Sequence, residues 1–472
     1  MKSRTVRPIK RRKQSGSKKN KRNFSDTQPM QPITIQSGYT GYRNTVERRR
    51  EMLHSSRRPN DRAYSRQYEH TVHQPVHRKR KKKKSAWDVI RLSLFGDKSI
   101  KEQYFDYDLL VVIIFLMCFG LVMLYSVSSY EAQADFGNDM YYFMKQALIG
   151  AGGIVGMYAV SKLDYHVMGA FSFEIFVVAM ILMGLVQTPL GITVNGARRW
   201  LPLPGNMTFQ PAEVTKIAVI LFISYELCRL GKKAYTMKGI IRILAFGAVA
   251  SMGVLFLTDN LSTAIIVAGI TCILIFVTHP KTKPFMVILG IGVAVIIVGI
   301  AILSATAANS DNFRLQRILS WLNPEATADT GSFQVMQGLY AIGSGGPFGK
   351  GLGNSTQKLG VIPEAQNDMI LVVICEELGV FGALIILILF GVLLYRLMFI
   401  AKNAPDLYGS LVATGIFAHI SLQVVLNIGV VTGLLPTTGI TLPFISYGGT
   451  AVIFLLAEMG IALGISRKIK LE

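Results

Sequence analysis

Residues 361–379 read VIPEAQNDMILVVICEELG. An apolar run of membrane type begins directly after Glu364 and Asp368 and carries Glu376 and Glu377 inside it. About 20 apolar residues suffice to cross the hydrocarbon core of a bilayer. Carboxylates at the mouth of such a run, and inside it, are costly unless they have partners or a task. Asp368 would favour the helix N-terminus through the dipole, so a plain helix cap and a functional acid both fit its position.

The same signal recurs along the chain. Ten stretches are long and apolar enough: 108–128, 142–161, 166–187, 212–230, 239–257, 261–279, 284–306, 368–395, 408–431 and 448–466. The whole chain, 472 residues and 51% hydrophobic with a mean hydropathy of +0.39, is too apolar for an ordinary soluble protein. The expected fold class is an all-α polytopic membrane protein with ten transmembrane helices. A large extracellular loop, residues 307–367, would lie between spans seven and eight. An even number of spans puts both termini on one side, and the basic flanks assign that side to the cytoplasm.

Charge divides the chain. Residues 1–84 hold 26 Lys and Arg against 5 Asp and Glu, which accounts for nearly all of the formal net charge of +22. Residues 1–85 are poor in aliphatics and are expected to form a disordered basic cytoplasmic tail. The run His77–Lys84 reads as a polybasic segment on the anionic membrane surface, where each basic residue contributes ~1 kcal/mol. Nucleic acid is the other reading of such a run, but its place near the first span favours the membrane, and no nucleic-acid partner is expected. Residues 86–104, with WDVIRLSLF at 87–95, form a juxtamembrane interfacial segment. Residues 105–472 form the membrane domain. No apolar region precedes residue 109, so the first span is expected to act as a signal anchor. Cys118, Cys228, Cys272 and Cys375 sit singly in apolar runs, which suggests neither disulfides nor zinc.

Three segments on the outer side carry candidate chemistry. Residues 196–216 read GARRWLPLPGNMTFQPAEVTK, with Arg198 and Arg199 set outside against the positive-inside bias. Gln210-Pro-Ala-Glu213 reads as a helix start, and Glu213 and Lys216, three apart, share one face. They serve either a polar cavity or a structural ion pair. Residues 343–368 read GSGGPFGKGLGNSTQKLGVIPEAQND, a glycine-rich loop with Lys350 and Lys358 that closes on Glu364 and Asp368. Its free N–H groups would suit an anion. Residues 433–450 read GLLPTTGITLPFISYGGT, where Pro and Gly break an apolar hairpin. Broken backbone at membrane depth is tolerated only when buried in protein or lining a cavity, and Ser446 would sit at that edge. Glu376, Glu377, Glu458, His419 and Glu174 read as interhelical hydrogen-bond partners or as groups near a cytoplasmic end.

The segments GARRWL, FQPAEVTK, GKGLGNSTQKLGVIPEAQND, EELG and LPTTGITLPFISYGG, in this order, resemble the SEDS family of FtsW, RodA and SpoVE across residues 105–466. The GITLPFISYGG form is closer to FtsW or SpoVE than to RodA. The resemblance implies a glycosyltransferase that polymerises lipid II at the outer face of the bacterial cytoplasmic membrane, at the septum for an FtsW-like member. It implies a class B penicillin-binding protein as partner, beside divisome or elongation-complex proteins. It implies Asp368 as the essential carboxylate, with Glu213, Lys216, Arg198 and Arg199 at the family's site positions; Lys358, Glu364 and Ser446, read from their own segments, are expected beside them around the substrate. One departure stands at residues 258–263, TDNLST, where Asp259 replaces the family's proline and leaves that turn without a stiffening ring.

The chemistry expected of such a site is a single displacement. Asp368 would take the proton of the acceptor sugar hydroxyl, and cations would stabilise the departing undecaprenyl diphosphate. Arg198, Arg199 and Lys216 would supply that charge, joined by Lys358 or a divalent cation, magnesium or manganese. Two other functions share these features. A lipid II flippase would need a charged path open to both sides. A non-catalytic division scaffold would work through its tail.

Overall fold

The computed structural model describes residues 104–194, 197–203, 207–281, 313–325, 327 and 332–470, with isolated positions between 283 and 298. The expected tail, most of the interfacial segment, span seven, and the side chains of Arg314 and Arg317 lie outside the described residues.

The described chain is mostly helical. In order it runs α1 (Tyr107–Phe136), α2 (Tyr141–Lys162), α3 (Tyr165–Ala170), α4 (Ser172–Val186), β1 (Ile192–Val194), β2 (Ala197–Leu203), β3 (Met207–Phe209), α5 (Pro211–Leu230), α6 (Met237–Leu257), α7 (Leu261–Thr278), α8 (Phe313–Leu322), α9 (Phe333–Gly345), α10 (Ile370–Asn403), α11 (Leu407–Val431) and α12 (Ala451–Ser466). Among the described residues, 6 helices are long and apolar enough to cross a membrane: α1, α2, α6, α7, α10 and α11.

The other expected spans depart for visible reasons. Span three bends at Phe171, splitting it into α3 and α4, although the backbone ladder continues through Phe171 N to Val167 O and Ile175 N to Phe171 O. α4 and α12 are apolar but short. α5 carries four charged residues and is the buried centre of the bundle, each charge paired: Lys216 with Glu213 at 2.8 Å, and Glu226 with Arg229 at 2.8 Å and Arg242 at 2.9 Å. The helices that face outward are apolar all round, as lipid-facing helices are; Leu148 and Val155 on α2 are each 70% exposed.

The expectation of an all-α chain needs one correction. Residues 192–194, 197–203 and 207–209 form a small antiparallel sheet in the order β1-β2-β3. β1 pairs with residues 197–200 of β2 and β3 with residues 201–203, so Pro202 stands where β2 has a neighbour on one side only. A missing N–H is tolerated there. The expected outer loop is also partly helical, through α8 and α9, and α9 packs along the first turns of α10.

The bundle has two polar ends. At one, the sheet, the loop before α10 and residues 432–450 meet. At the other, Arg396 on α10 grips the fully buried Asp106 ahead of α1 at 2.8 Å, and Asp106 caps Leu109 N at 2.9 Å.

Candidate functional site

Residues 432–450 join α11 to α12 without regular structure, because Pro436, Gly439, Pro443, Gly448 and Gly449 stop a helix from forming. Buried carbonyls freed in this way need donors. Side chains from all sides supply them. Trp321 Nε1 donates to Gly433 O at 2.8 Å, Ser262 Oγ to Thr438 O at 2.6 Å, Asn427 Nδ2 to Ile440 O at 2.7 Å and Gln423 Nε2 to Thr441 O at 3.0 Å. Ser446 is part of the same framework. Its buried hydroxyl accepts from Leu442 N at 2.8 Å and its carbonyl faces Gln146 Nε2 at 3.5 Å.

Asp368 stands against this segment. α10 begins two residues later, at Ile370, and its cap position is Met369, which makes no side-chain capping bond. The Asp368 carbonyl accepts from Asn427 Nδ2 at 2.9 Å. One carboxylate oxygen lies 4.0 Å from the point where a Cβ would stand on Gly439, which holds φ +70°. The neighbouring backbone is tied in as well, through Tyr447 N to Gln366 O at 2.9 Å. The half-buried Asp368 is therefore held by its main chain, with its carboxylate turned to the irregular segment.

Glu213 and Lys216 form the ion pair expected of one helix face, and Lys216 is only 2% exposed. Lys216 Nζ also reaches Gln423 Oε1 at 3.5 Å. Gln423 Oε1 lies 2.9 Å from His419 Nε2, and His419 Nδ1 lies 2.7 Å from Glu458 Oε2 on α12. A continuous polar chain thus runs from α5 through α11 to α12. His419, Gln423 and Asn427, four residues apart, make one stripe on α11. Through this stripe the structure brings Asp368, Glu213 and Lys216 to neighbouring turns of the same helix face.

Glu376 and Glu377 explain the carboxylates inside the apolar run. Both are fully buried, and they bind the glycine-rich loop to α10. Lys350 Nζ reaches Glu376 at 2.6 Å, and Ser355 and Thr356 donate to the same carboxylate. Lys358 Nζ reaches Glu377 at 2.7 Å, joined by Ser126 Oγ of α1 at 2.7 Å. The loop crosses α10 where Gly379, φ +67°, kinks it; a Cβ on Gly379 would stand 2.4 Å from Gly349 N. Lys358, expected among the cations of the substrate site, is spent here on a buried pair.

The two arginines also bind backbone. Arg198 Nη2 donates to Thr188 O at 2.6 Å, with Gln187 O and Gly191 O each at 3.3 Å, where its charge complements the C-terminal end of α4. Arg199 Nη2 donates to Asp259 O at 2.9 Å. Asp259 holds φ 47°, and Asn260 Oδ1 accepts from Thr263 N at 3.0 Å. The turn that lacks proline is thus fixed by Arg199 and by a cap. Glu364, exposed and at φ 50°, accepts from Asn367 Nδ2 at 2.9 Å. Asn427 and Gln423 escaped the sequence reading, although their four-residue spacing with His419 in an apolar helix was visible.

The sequence and the fold have counterparts in known proteins. The family model described as cell cycle protein, covering FtsW, RodA and SpoVE, matches residues 107–471. The chain is 40% identical over 371 residues to stage V sporulation protein E of Bacillus subtilis, covering 76% of this chain and 97% of that one. It is 37% identical over 377 residues to a probable peptidoglycan glycosyltransferase FtsW of Trichlorobacter lovleyi, covering 78% and 94%. In fold it is similar to a chain of a peptidoglycan synthase complex that coordinates polymerization and crosslinking, with a TM-score of 0.62 at 24% identity over 77% of this chain and 98% of that one. Thermus thermophilus RodA gives a TM-score of 0.53 at 24% identity over 78% and 98%. With a family match that runs from the start of α1 to the end of the described chain, this protein belongs to the FtsW/RodA/SpoVE family.

Proposed function

We propose that the chain is a peptidoglycan glycosyltransferase that polymerises lipid II at the outer face of the bacterial cytoplasmic membrane. The observation that carries this reading is Asp368: a carboxylate at the mouth of an irregular membrane segment, one helical turn along α11 from a buried lysine. The names of the SpoVE and FtsW relatives support it. Asp368 takes the proton of the acceptor sugar's 4-hydroxyl, a role that contributes typically 10²–10⁴-fold. Displacement at the donor's anomeric carbon inverts it and releases undecaprenyl diphosphate. Lys216, held by Glu213 and Gln423, is the cation for the departing diphosphate. A divalent cation, magnesium or manganese, would supply further charge neutralisation to the departing diphosphate; among the described residues no group of three or more His, Cys, Asp or Glu side chains converges to hold one. Arg198, Arg199, Lys358 and Ser446 act by shaping the walls: the arginines hold loop carbonyls, Lys358 the buried Glu377 carboxylate and Ser446 the backbone of its own segment.

The membrane domain spans ten times in this reading, with both termini in the cytoplasm and residues 1–85 as a basic tail along the anionic leaflet. The partner is a class B penicillin-binding protein, in keeping with the synthase complex of similar fold, and the complex works at the septum or in sporulation. The test supplies fluorescent lipid II to the purified chain and its partner. Asp368→Asn is expected to lower glycan formation by about 10²-fold or more. Polymerisation at the wild-type rate would remove Asp368 as the base.

A further inference from the structure

Asn427 is 1% exposed, and its amide is fully committed on the donor side. Nδ2 donates to the Asp368 carbonyl at 2.9 Å and to the Ile440 carbonyl at 2.7 Å. One turn earlier, Gln423 makes the equivalent pair of contacts. Its Nε2 donates to the Thr441 carbonyl at 3.0 Å and its Oε1 lies 3.5 Å from Lys216 Nζ. Two side chains on one helix face therefore hold two consecutive carbonyls of the irregular segment, and each also holds one member of the candidate site. Residues four apart on a helix stand about 5–6 Å apart at Cβ, so α11 acts as a ruler between the two.

Plain helix packing does not call for amides here. A buried polar group is costly unless bonded, and apolar side chains would pack α11 against its neighbours without that risk. The amides instead bond two carbonyls of a segment that has no helix or strand to take them. Below them, His419 and Glu458 fasten the same stripe to α12, and His419 Nε2 lies 2.9 Å from Gln423 Oε1.

We infer that Asn427 and Gln423 are positioning residues of the glycosyl-transfer site. Through the carbonyls of Ile440 and Thr441 they set the separation between the Asp368 carboxylate and the Lys216 ammonium, without touching substrate. This rests on the reading of Asp368 as the base. A displacement of about 1 Å in a reacting group costs up to about 10²-fold in rate. Losing such a device lowers kcat and leaves ground-state binding of the lipid largely intact.

The test measures kcat and KM for fluorescent lipid II on the full chain with its partner transpeptidase. Asn427→Ala and Gln423→Asn are compared with Leu393→Ala, a substitution at a fully buried core position of α10, 25 residues beyond Asp368. The expected result is a fall in kcat of about 10–10²-fold in each stripe variant, with KM within about twofold. Leu393→Ala at a matched melting temperature keeps its kcat. Should Asn427→Ala fail to fold, Gln423→Asn carries the same comparison, since it retains an amide but is too short to reach both partners. Wild-type kcat in a folded stripe variant, or equal loss in Leu393→Ala, overturns the inference. Asp368→Asn in the same assay separates the two claims. If it is inactive while the stripe variants are normal, only the positioning role fails. If it is active, the base assignment fails first.

Discussion

Glu377 shows how a costly residue becomes a useful one. Its carboxylate is fully buried and meets Lys358 at 2.7 Å, Ser126 at 2.7 Å and Ser355 N at 3.4 Å. Three segments distant in sequence, from α1, the glycine-rich loop and α10, share one charge. Removing one member leaves the other buried without its counter-charge, which costs about 3–5 kcal/mol. Glu377→Ala is therefore expected to lower thermal stability by about that much, and Glu377→Leu combined with Lys358→Met to cost less than the single change. Melting curves in detergent check both. A single variant as stable as wild type would mean that the pair contributes nothing.

The elements were legible in proportion to how local their causes are. α1, α2, α6, α7 and α11 follow from length and hydropathy; α2, α6, α7 and α11 lie within two residues of the expected bounds, whereas α1 runs on to Phe136, past the expected end at 128. The small sheet was missed because its strands are too short for alternation to register, and Pro202 argued against a strand. The site was legible as segments but not as connections. Asp368, Glu213 and Lys216 come together, whereas Arg198, Arg199 and Lys358 turn to carbonyls or a carboxylate whose positions only the folded chain fixes. The kink in α10 also came from outside the helix. A lone glycine in an apolar run is unremarkable, yet Gly379 is where the loop crosses. Gly379→Ala meets backbone at 2.4–2.6 Å and a φ of +67°, a strain of about 1–3 kcal/mol before any clash. The expected outcome is release of the loop from α10, read as faster proteolysis between residues 346 and 358, with reduced polymerisation. Unchanged proteolysis would show that the crossing adapts.

At the scale of the molecule, the two polar ends of the bundle do different work. The end away from Asp368 is a latch, in which Asp164 joins the α2–α3 turn to the C-terminal segment through Lys468 at 2.5 Å and to His166 at 2.8 Å. Burial pushes the Asp164 carboxyl up, but the hydrogen bonds from His166 and Lys468 outweigh it and hold it well below its ordinary value of 3.8. A depressed carboxylate stabilises the fold above its unfolded-state value and loses that contribution as pH falls through the folded one. The melting temperatures of wild type and Asp164→Asn should therefore differ by a constant amount at neutral and mildly acidic pH and converge below the ordinary 3.8. A gap that widens on acidification would reverse the sign. The other end holds an acid over backbone that the rest of the bundle has had to satisfy, and the function rests on that arrangement. A structure of the chain with its partner and a lipid II analogue bound tests it most directly. The prediction is a sugar hydroxyl within about 2.6–3.2 Å of the Asp368 carboxylate, with the diphosphate on the Lys216 side; a saccharide seated elsewhere, with Asp368 facing only protein, would contradict it.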